Sequence, residues 1–476
     1  MALVKPVDPV PPGELGRVHF VAIGGAGMSG IARLLLARGI AVSGCDSAQS
    51  AQLDELAALG ADVRVGHSPE HLDGVDTVVV SSAIRQENPE LVAARERGLR
   101  VLHRAAALAS VMLGRRSVAV AGTHGKTTTT SMITTVLRYC GADPGYVIGG
   151  ILADTGLGAA DGGGEYLVAE ADESDGSFLN LAPGAAVVTC IEADHLDNYA
   201  SLAEIEAAFE AFAARIAPGG PLVTCADDPG AARLAASAGA QAGGPRVVTY
   251  GFAPQAGYRI GSVLAAGMAT EFDLTPPAGH DAVRLRISVP GRHNGLNAAA
   301  AYATAVEMGF PPADVAAGLA RYSGAQRRME PKGEADGVRV LDSYAHHPTE
   351  LAADLAAARD IAGGGRVIAI FQPHLYSRTR FFAAQFGKAL GQADEVFVLD
   401  IYAAREDPEP GVTGAMVANA VPGRVAVFWP DPAGLPDAVA DLAKPGDVVL
   451  TMGAGDVTRL GPLIVAALRR RADGAP

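Results

Sequence analysis

Ser117-Val118-Ala119-Val120-Ala121 runs directly into Gly122-Thr123-His124-Gly125-Lys126-Thr127-Thr128, and from there into a helical pattern that reaches about Arg138. A short apolar strand, a glycine turn and a helix that opens on Lys-Thr form a phosphate cradle. Backbone N–H groups surround the anion, lysine neutralises β/γ oxygens, and the threonine hydroxyl can bind Mg²⁺. The spacing departs from the usual loop, because Val120 stands where its first glycine would be. No N-K-x-D segment that would read guanine is present, so ATP is the default nucleotide. Such a loop belongs to a parallel sheet, and the chain is expected to be α/β.

The rest of the chain repeats this alternation. Before the loop, Val18–Ile23, Ile40–Cys45 and Asp76–Val80 read as strands, with helical spacing at Ile31, Leu34 and Leu35 and again over Leu53–Leu59. After it come strands at Tyr166–Ala169 and Ala186–Ile191 and a helix opening at Ser201, with Glu204 at capping-box spacing. Residues 247–287 are richer in turns and are expected as an antiparallel edge. Val338–Leu341, Val367–Phe371, Val396–Ile401 and Val448–Met452 then alternate with helical patterns at Thr349–Arg359 and Ser377–Leu390. Arg115-Arg116 and the region near Ser323 mark boundaries, which gives three units: 1–115, 116–322 and 323–476.

Composition narrows the class. Lys+Arg 38 against Asp+Glu 52 leaves a net charge of -14, which opposes binding to nucleic acid or anionic lipid. No apolar run approaches a membrane span, and Met1–Gly16 has no apolar core of an export signal. Four cysteines without a C-x-x-C suit a reduced, cytoplasmic setting. Their apolar or turn contexts make Cys190 and Cys225 small core residues rather than nucleophiles.

Other polar groups follow strand ends. Gly24-Gly25-Ala26-Gly27-Met28-Ser29-Gly30 can approach a diphosphate at a helix N-terminus. Taken alone, this loop with Asp46 on a ribose hydroxyl would suggest a dinucleotide, and a glycine turn serving only close packing is the plainer alternative. Glu170 and His195 offer oxygen and nitrogen to Mg²⁺ or Mn²⁺ beside the phosphate loop; otherwise they are a solvated turn carboxylate and a packing histidine. Asn294 and Asn297 could meet a nucleobase or cap a helix. Asp342–His347 and Gln372–Arg380 place Tyr344, His346, His347, His374 and Arg378 in loops suited to a carboxylate or phosphate, with surface salt bridges as the alternative.

Together these segments resemble the Mur ligases of peptidoglycan synthesis over nearly the whole chain. The resemblance is carried by Phe20–Ala32, Gly122–Thr130, Glu170–Phe178, Asp194-His195, His293-Asn294, Asp342–Glu350 and Gln372–Arg380. It makes the shortened phosphate loop normal. It implies a Rossmann-like N-terminal domain, a central P-loop ATPase-like parallel sheet, and a Rossmann-like C-terminal domain that binds the amino acid and closes on ATP.

The resemblance further implies an ATP-dependent ligase that joins L-alanine to the lactyl carboxylate of UDP-N-acetylmuramate through an acyl phosphate. Gly24, Gly25, Ala26, Gly27, Met28 and Ser29, with His67, Ser81 and Ser82, would hold the UDP substrate. Gly122 to Thr128, Asn294 and Asn297 would hold ATP, and Thr127, Glu170 and His195 the metal. Lys126, His195, His346, His374 and Arg378 would act in the reaction, with Tyr344 and Arg378 near the amino acid. A histidine among 346, 347 and 374 would take the amine proton, and a homodimer is among the assemblies allowed. Leu375 and Ala106 depart from the family pattern, where arginine and glutamate are common. A murein tripeptide ligase of the same fold, an NAD-dependent dehydrogenase and a non-catalytic nucleotide switch are the alternatives, and Asp172–Phe178 resembles the biosynthetic branch rather than the tripeptide ligase.

Overall fold

The structure is a computed structural model that describes residues 3–194, 198–277, 281–404, 406–424 and 426–474. It contains three α/β sheets. Its contacts group into two compact units: residues 1–262, 273–285 and 296–322 form one, and 263–272, 286–295 and 323–476 the other.

The first sheet is β1 (Val18–Val21), β2 (Val42–Asp46), β3 (Asp62–Val65), β4 (Thr77–Val80) and β5 (Arg100–His103), in the order β3-β2-β1-β4-β5. Every pairing is parallel. All four residues of β1 are buried, as a central strand covered on both faces requires. The order reverses at β1, so the loop after this strand opens into the crevice where doubly wound sheets take ligands. Helix α1 (Ala26–Ala37) begins there, followed by α2 (Ala51–Ala58), α3 (Pro89–Glu96) and α4 (Arg104–Met112). Asn88 caps α3, accepting from Glu90 N and Leu91 N ahead of Pro89 at the first helical position.

The second sheet has ten strands, in the order β15-β14-β13-β12-β11-β10-β6-β9-β7-β8. They are β6 (Arg116–Ala121), β7 (Gly145–Val147), β8 (Ala159–Ala160), β9 (Tyr166–Glu170), β10 (Ala185–Val188), β11 (Pro221–Cys225), β12 (Arg246–Gly251), β13 (Tyr258–Ala266), β14 (Ala269–Thr275) and β15 (Val283–Ile287). β6 lies between β9 and β10, parallel to both. Their carboxyl ends therefore meet at the start of α5 (Lys126–Tyr139). The edge expected as antiparallel begins otherwise: β12 runs parallel to β11, and Tyr250-Gly251 parallel to Tyr258-Arg259.

Helix α5 is an unlikely helix by composition, because four consecutive threonines lose rotamer freedom. Burial forces the hydroxyls to find protein partners, and three of them find these inside the helix itself. Thr130 Oγ1 donates to Lys126 O, Thr134 Oγ1 to Thr130 O and Thr135 Oγ1 to Ser131 O, at 2.8–2.9 Å. The same chain region continues through α6 (Leu202–Ala213), α7 (Pro229–Gly239), α8 (Arg292–Glu307) and α9 (Pro312–Leu319). Ser201 caps α6 by accepting Glu204 N at 3.3 Å, while the Glu204 carboxylate reaches back to Ala200 N.

The third sheet is β16 (Glu330–Ala335), β17 (Val338–Ser343), β18 (Val367–Phe371), β19 (Glu395–Val398), β20 (Ala426–Phe428) and β21 (Val448–Met452), in the order β16-β17-β21-β18-β19-β20. Only β16 is antiparallel to its neighbour. Along β18, Val367, Ala369 and Phe371 enter one hydrophobic cluster while Ile368 and Ile370 enter the other. The two-residue period thus explains why this strand reads as unbroken apolar sequence. Helices α10 (Pro348–Ala362) and α11 (Tyr376–Leu390) contribute to the first cluster, with Leu355 and Phe386 fully buried in it. Among the described residues, no helix is long and apolar enough to cross a membrane.

Candidate active site

The phosphate loop is shaped by two glycines that no other residue could replace without strain. Gly122 has φ +128° and Gly125 φ +82°, and a Cβ on Gly125 would lie 2.6 Å from Asn297 Oδ1. Lys126 Nζ donates to the carbonyls of Gly122 (2.7 Å) and Thr123 (3.3 Å) and to Glu173 Oε1 (2.8 Å). Burial by itself would lower its pKa, but Glu173, Asp172 and Glu170 hold the ammonium above the ordinary lysine value. A fixed positive charge therefore sits at the helix start, where an anion also meets the helix dipole.

Thr127 Oγ1 donates to Glu170 Oε1 at 3.2 Å, and Glu170 Oε2 accepts Gly149 N at 2.7 Å. Thr127 lies at the start of α5, which follows β6, and Glu170 ends the adjacent parallel strand β9. Thr129 Oγ1 donates to Asn297 Oδ1 at 3.2 Å, which ties the start of α8 to the loop. His124 N donates to Cys190 Sγ at 3.3 Å, and His124 Nε2 lies 3.5 Å from Glu192 Oε2. Asn294 is buried in the first turn of α8, and its Nδ2 donates to Pro290 O at 2.7 Å. His195 lies outside the described residues.

The segment Asp172–Phe178 supplies groups that the strand-end reading did not single out. Ser82 Oγ donates to Asp175 Oδ2, His103 Nε2 lies 3.6 Å from Asp175 Oδ2, and Arg104 binds Asp172 Oδ2 at 2.6 Å. The first and second sheets are thereby joined at their carboxyl edges. Phe178 anchors the segment against Phe209 and Phe212 of α6, with ring centroids 5.2 and 4.9 Å away. Acidic residues in a loop normally signal solvent, and only the packing of Phe178 shows that these are held inward.

In the glycine loop, Gly25 and Ala26 are exposed and Gly27 faces Arg104. The Met28 side chain is buried, and its N–H is already given to Gly25 O, so it lends the loop packing. Ser29 Oγ donates to Ala26 O at 3.2 Å. Asp46 Oδ2 accepts Gly24 N (3.0 Å) and its Oδ1 Ser47 N (2.7 Å), which closes the turn. Ser81 is half-buried at the end of β4, and His67 Nδ1 lies 3.1 Å from Cys45 Sγ.

In the other unit, β17, β18 and β21 end on one edge and bring Tyr344, His346 and His374 into a row. Tyr344 and His346 have ring centroids 5.3 Å apart and His346 and His374 6.0 Å, and His374 stacks on Tyr402 at 6.0 Å. Arg327 lies over the Tyr344 ring at 4.9 Å. His346 Nδ1 lies 3.0 Å from Tyr344 O; donation there assigns the acceptor role to Nε2. His347 is the N-cap of α10, accepting Thr349 N and forming a capping box with Glu350. Arg378 is half-buried in the first turn of α11. Leu375, which precedes α11, holds φ +69° while buried. Sequence reasoning missed Arg327 and Tyr402, because their relation to the row is set by strand order and not by spacing.

Burial pushes all four thiols above their ordinary range, Cys225 to about 11.

Three segments match the family in sequence: residues 17–116 match "Mur ligase family, catalytic domain", 120–305 "Mur ligase middle domain", and 327–455 "Mur ligase, glutamate ligase domain". The chain belongs to the Mur ligase family. A relative of this Mur ligase, the UDP-N-acetylmuramate–L-alanine ligase of Thermobifida fusca, is 57% identical over 98% of this chain and 100% of its own. The crystal structure of the Thermotoga maritima UDP-N-acetylmuramate–alanine ligase has a TM-score of 0.79 at 28% identity, covering 96% of this chain and 99% of that one. A murein peptide ligase from Psychrobacter arcticus shares the fold, with a TM-score of 0.70 at 24% identity over 95% of this chain and 99% of that one.

Proposed function

We propose that this Mur ligase joins L-alanine to the lactyl carboxylate of UDP-N-acetylmuramate with ATP, in the cytoplasm, giving UDP-N-acetylmuramoyl-L-alanine, ADP and phosphate. The observation that carries the ATP reaction is the charged Lys126 at the head of α5, beside the Thr127–Glu170 pair. The two organic substrates are those in the names of the Thermobifida and Thermotoga relatives.

On this reading residues 1–115 hold the UDP substrate through the Gly24–Ser29 loop, His67, Ser81 and Ser82. Residues 116–322 hold ATP through Gly122–Thr128 and Asn297, with Asn294 near the adenine. Residues 323–476 hold the amino acid through Tyr344, His346, His374 and Arg378. Thr127 and Glu170, two oxygen donors 3.2 Å apart, fit Mg²⁺, with His195 completing the set. The ion would neutralise charge on the phosphates.

The lactyl carboxylate attacks the γ-phosphorus, and ADP leaves. The alanine amine then attacks the acyl carbon, loses its proton, and expels phosphate. Lys126 stabilises charge on the transferring group by position alone, as phosphoryl transfer demands. His346 is the better base, because the His347 Nδ1 lone pair is engaged by Thr349 N.

Phosphate release is measured with ATP and Mg²⁺, adding UDP-N-acetylmuramate and each of L-alanine, glycine and L-serine singly and together. Release that requires both substrates, with L-alanine best, is expected. Release driven by a murein tripeptide in place of L-alanine overturns the acceptor, and no release in any combination overturns the ligase.

A further inference from the structure

Beneath the first sheet, four side chains converge on the buried Glu90 carboxylate: His19, Cys45 and His71, which the ligase reading leaves without a role, and His67, which it places near the substrate. His19 from β1, Cys45 from β2 and Glu90 from α3 are 1%, 0% and 0% exposed, and their donor atoms all lie within 4.8 Å of one another. Cys45 Sγ donates to Glu90 Oε2 at 2.7 Å. His67 Nδ1 lies 3.1 Å from that sulfur and 3.2 Å from Glu90 Oε2. His71 Nδ1 lies 2.7 Å from Glu90 Oε1.

His19 shows which way the cluster faces. Its Nδ1 lies 2.9 Å from Ser43 Oγ, while its buried Nε2 has no hydrogen-bond partner and stands 3.7 Å from Glu90 Oε1. With Nδ1–H given to Ser43, the Nε2 lone pair points at the thiol and the carboxylate. An imidazole held by a second-sphere hydroxyl and aimed at a cysteine and a glutamate is the arrangement of a soft-to-borderline metal site.

We propose that His19 Nε2, Cys45 Sγ and Glu90, with His67 Nδ1 as fourth donor, bind one divalent ion of the zinc class. Binding releases the Cys45 proton, so a thiolate, a carboxylate and two neutral imidazoles surround the ion. One thiolate and one carboxylate cancel a divalent charge, which lets the site stay buried. His71 and Ser68 N, at 2.7 and 3.3 Å from Glu90 Oε1, orient the carboxylate from outside. The ion would tie β1, β2 and α3 together, so its role is structural.

The test uses the full chain stripped with a chelator and titrated with Co²⁺ as spectroscopic probe. The expected result is a thiolate-to-cobalt charge-transfer band that saturates at one equivalent, persists in Cys190→Ser and is absent from Cys45→Ser. Zn²⁺ displaces the cobalt and raises Tm by several degrees. Should Cys45→Ser fail to fold, His19→Gln keeps the thiol and is expected to weaken Co²⁺ binding at least about tenfold. No thiolate band, the same band in Cys45→Ser, or a wild-type Tm indifferent to Zn²⁺ overturns the proposal.

Discussion

Lys126 and Glu173 face each other at 2.8 Å inside the phosphate loop, with 15% and 3% of their side chains exposed. The ammonium that is to meet nucleotide phosphates thus has a protein counter-charge in their absence. Lysine at this depth without Glu173 would be an uncompensated charge in a low-dielectric setting.

Glu173→Gln is expected to lower stability by roughly 3 kcal/mol, the low end for breaking a buried pair, since Asp172 and Glu170 still act on the lysine. ATP supplies replacement negative charge, so the Tm gap between variant and wild type should narrow when ATP is added. Thermal melts with and without the nucleotide check this; a gap unchanged by ATP counts against the pairing argument.

Glu170→Gln keeps the shape but removes the only formal charge of the Thr127–Glu170 pair. Phosphate release is expected to fall by about 10²–10³ in kcat, with the Mg²⁺ requirement shifted to higher concentration. A Mg²⁺ titration of initial rates separates this from simple unfolding, because excess metal should restore part of the loss only if Glu170 is a ligand.

His346 and His347 are adjacent but should behave differently. His346→Ala is expected to lower kcat by about 10²–10⁴ and remove a limb of the pH–rate profile. His347→Ala removes an N-cap and should cost about 1 kcal/mol in stability, seen as a lower Tm. If the pH limb survives in His346→Ala and is lost in His374→Ala, the base is His374.

Asp354 and His293 make stability depend on pH in opposite senses. Burial raises the Asp354 pKa from 3.8 to about 7, only partly opposed by the Ser343 hydroxyl. The stability it allows is complete below its unfolded pKa and is lost as pH rises through its folded one. Burial lowers the His293 pKa from 6.5 to about 4, so its contribution is present above 6.5 and is lost as pH falls toward 4. Asp354→Asn should therefore raise Tm relative to wild type by more at about pH 8 than at about pH 5. Equal changes at the two pH values would contradict this.

Much of the architecture was legible because local pattern and tertiary role coincide. Val118–Ala121 reads as a buried strand and is one, and Val367–Phe371 and Val448–Met452 match their expected limits to the residue. Lys126, Thr127 and Glu170 were legible because a parallel sheet puts neighbouring strand ends on one edge. The turn-closing bonds of Asp46 to Gly24 N and Ser47 N carried no signal in the sequence, where a carboxylate some twenty residues after a glycine loop also suits a ribose. Glu173, Asp175 and Arg327 carried no signal of their own, since a charged residue in a loop reads as solvated until its partners are known.

The alternation of apolar strands with amphipathic helices, the glycine-lysine turn and the acidic balance determined by themselves that this chain is a multidomain α/β protein with a phosphate site. These properties depend on neighbours within a few residues. Tertiary structure decided which polar groups meet: Lys126 with Glu173, Arg104 with Asp172, and Glu90 with Cys45, 47, 68 and 45 residues apart in the chain. Strand order sets those meetings, and strand order is a consequence of packing over the whole sheet.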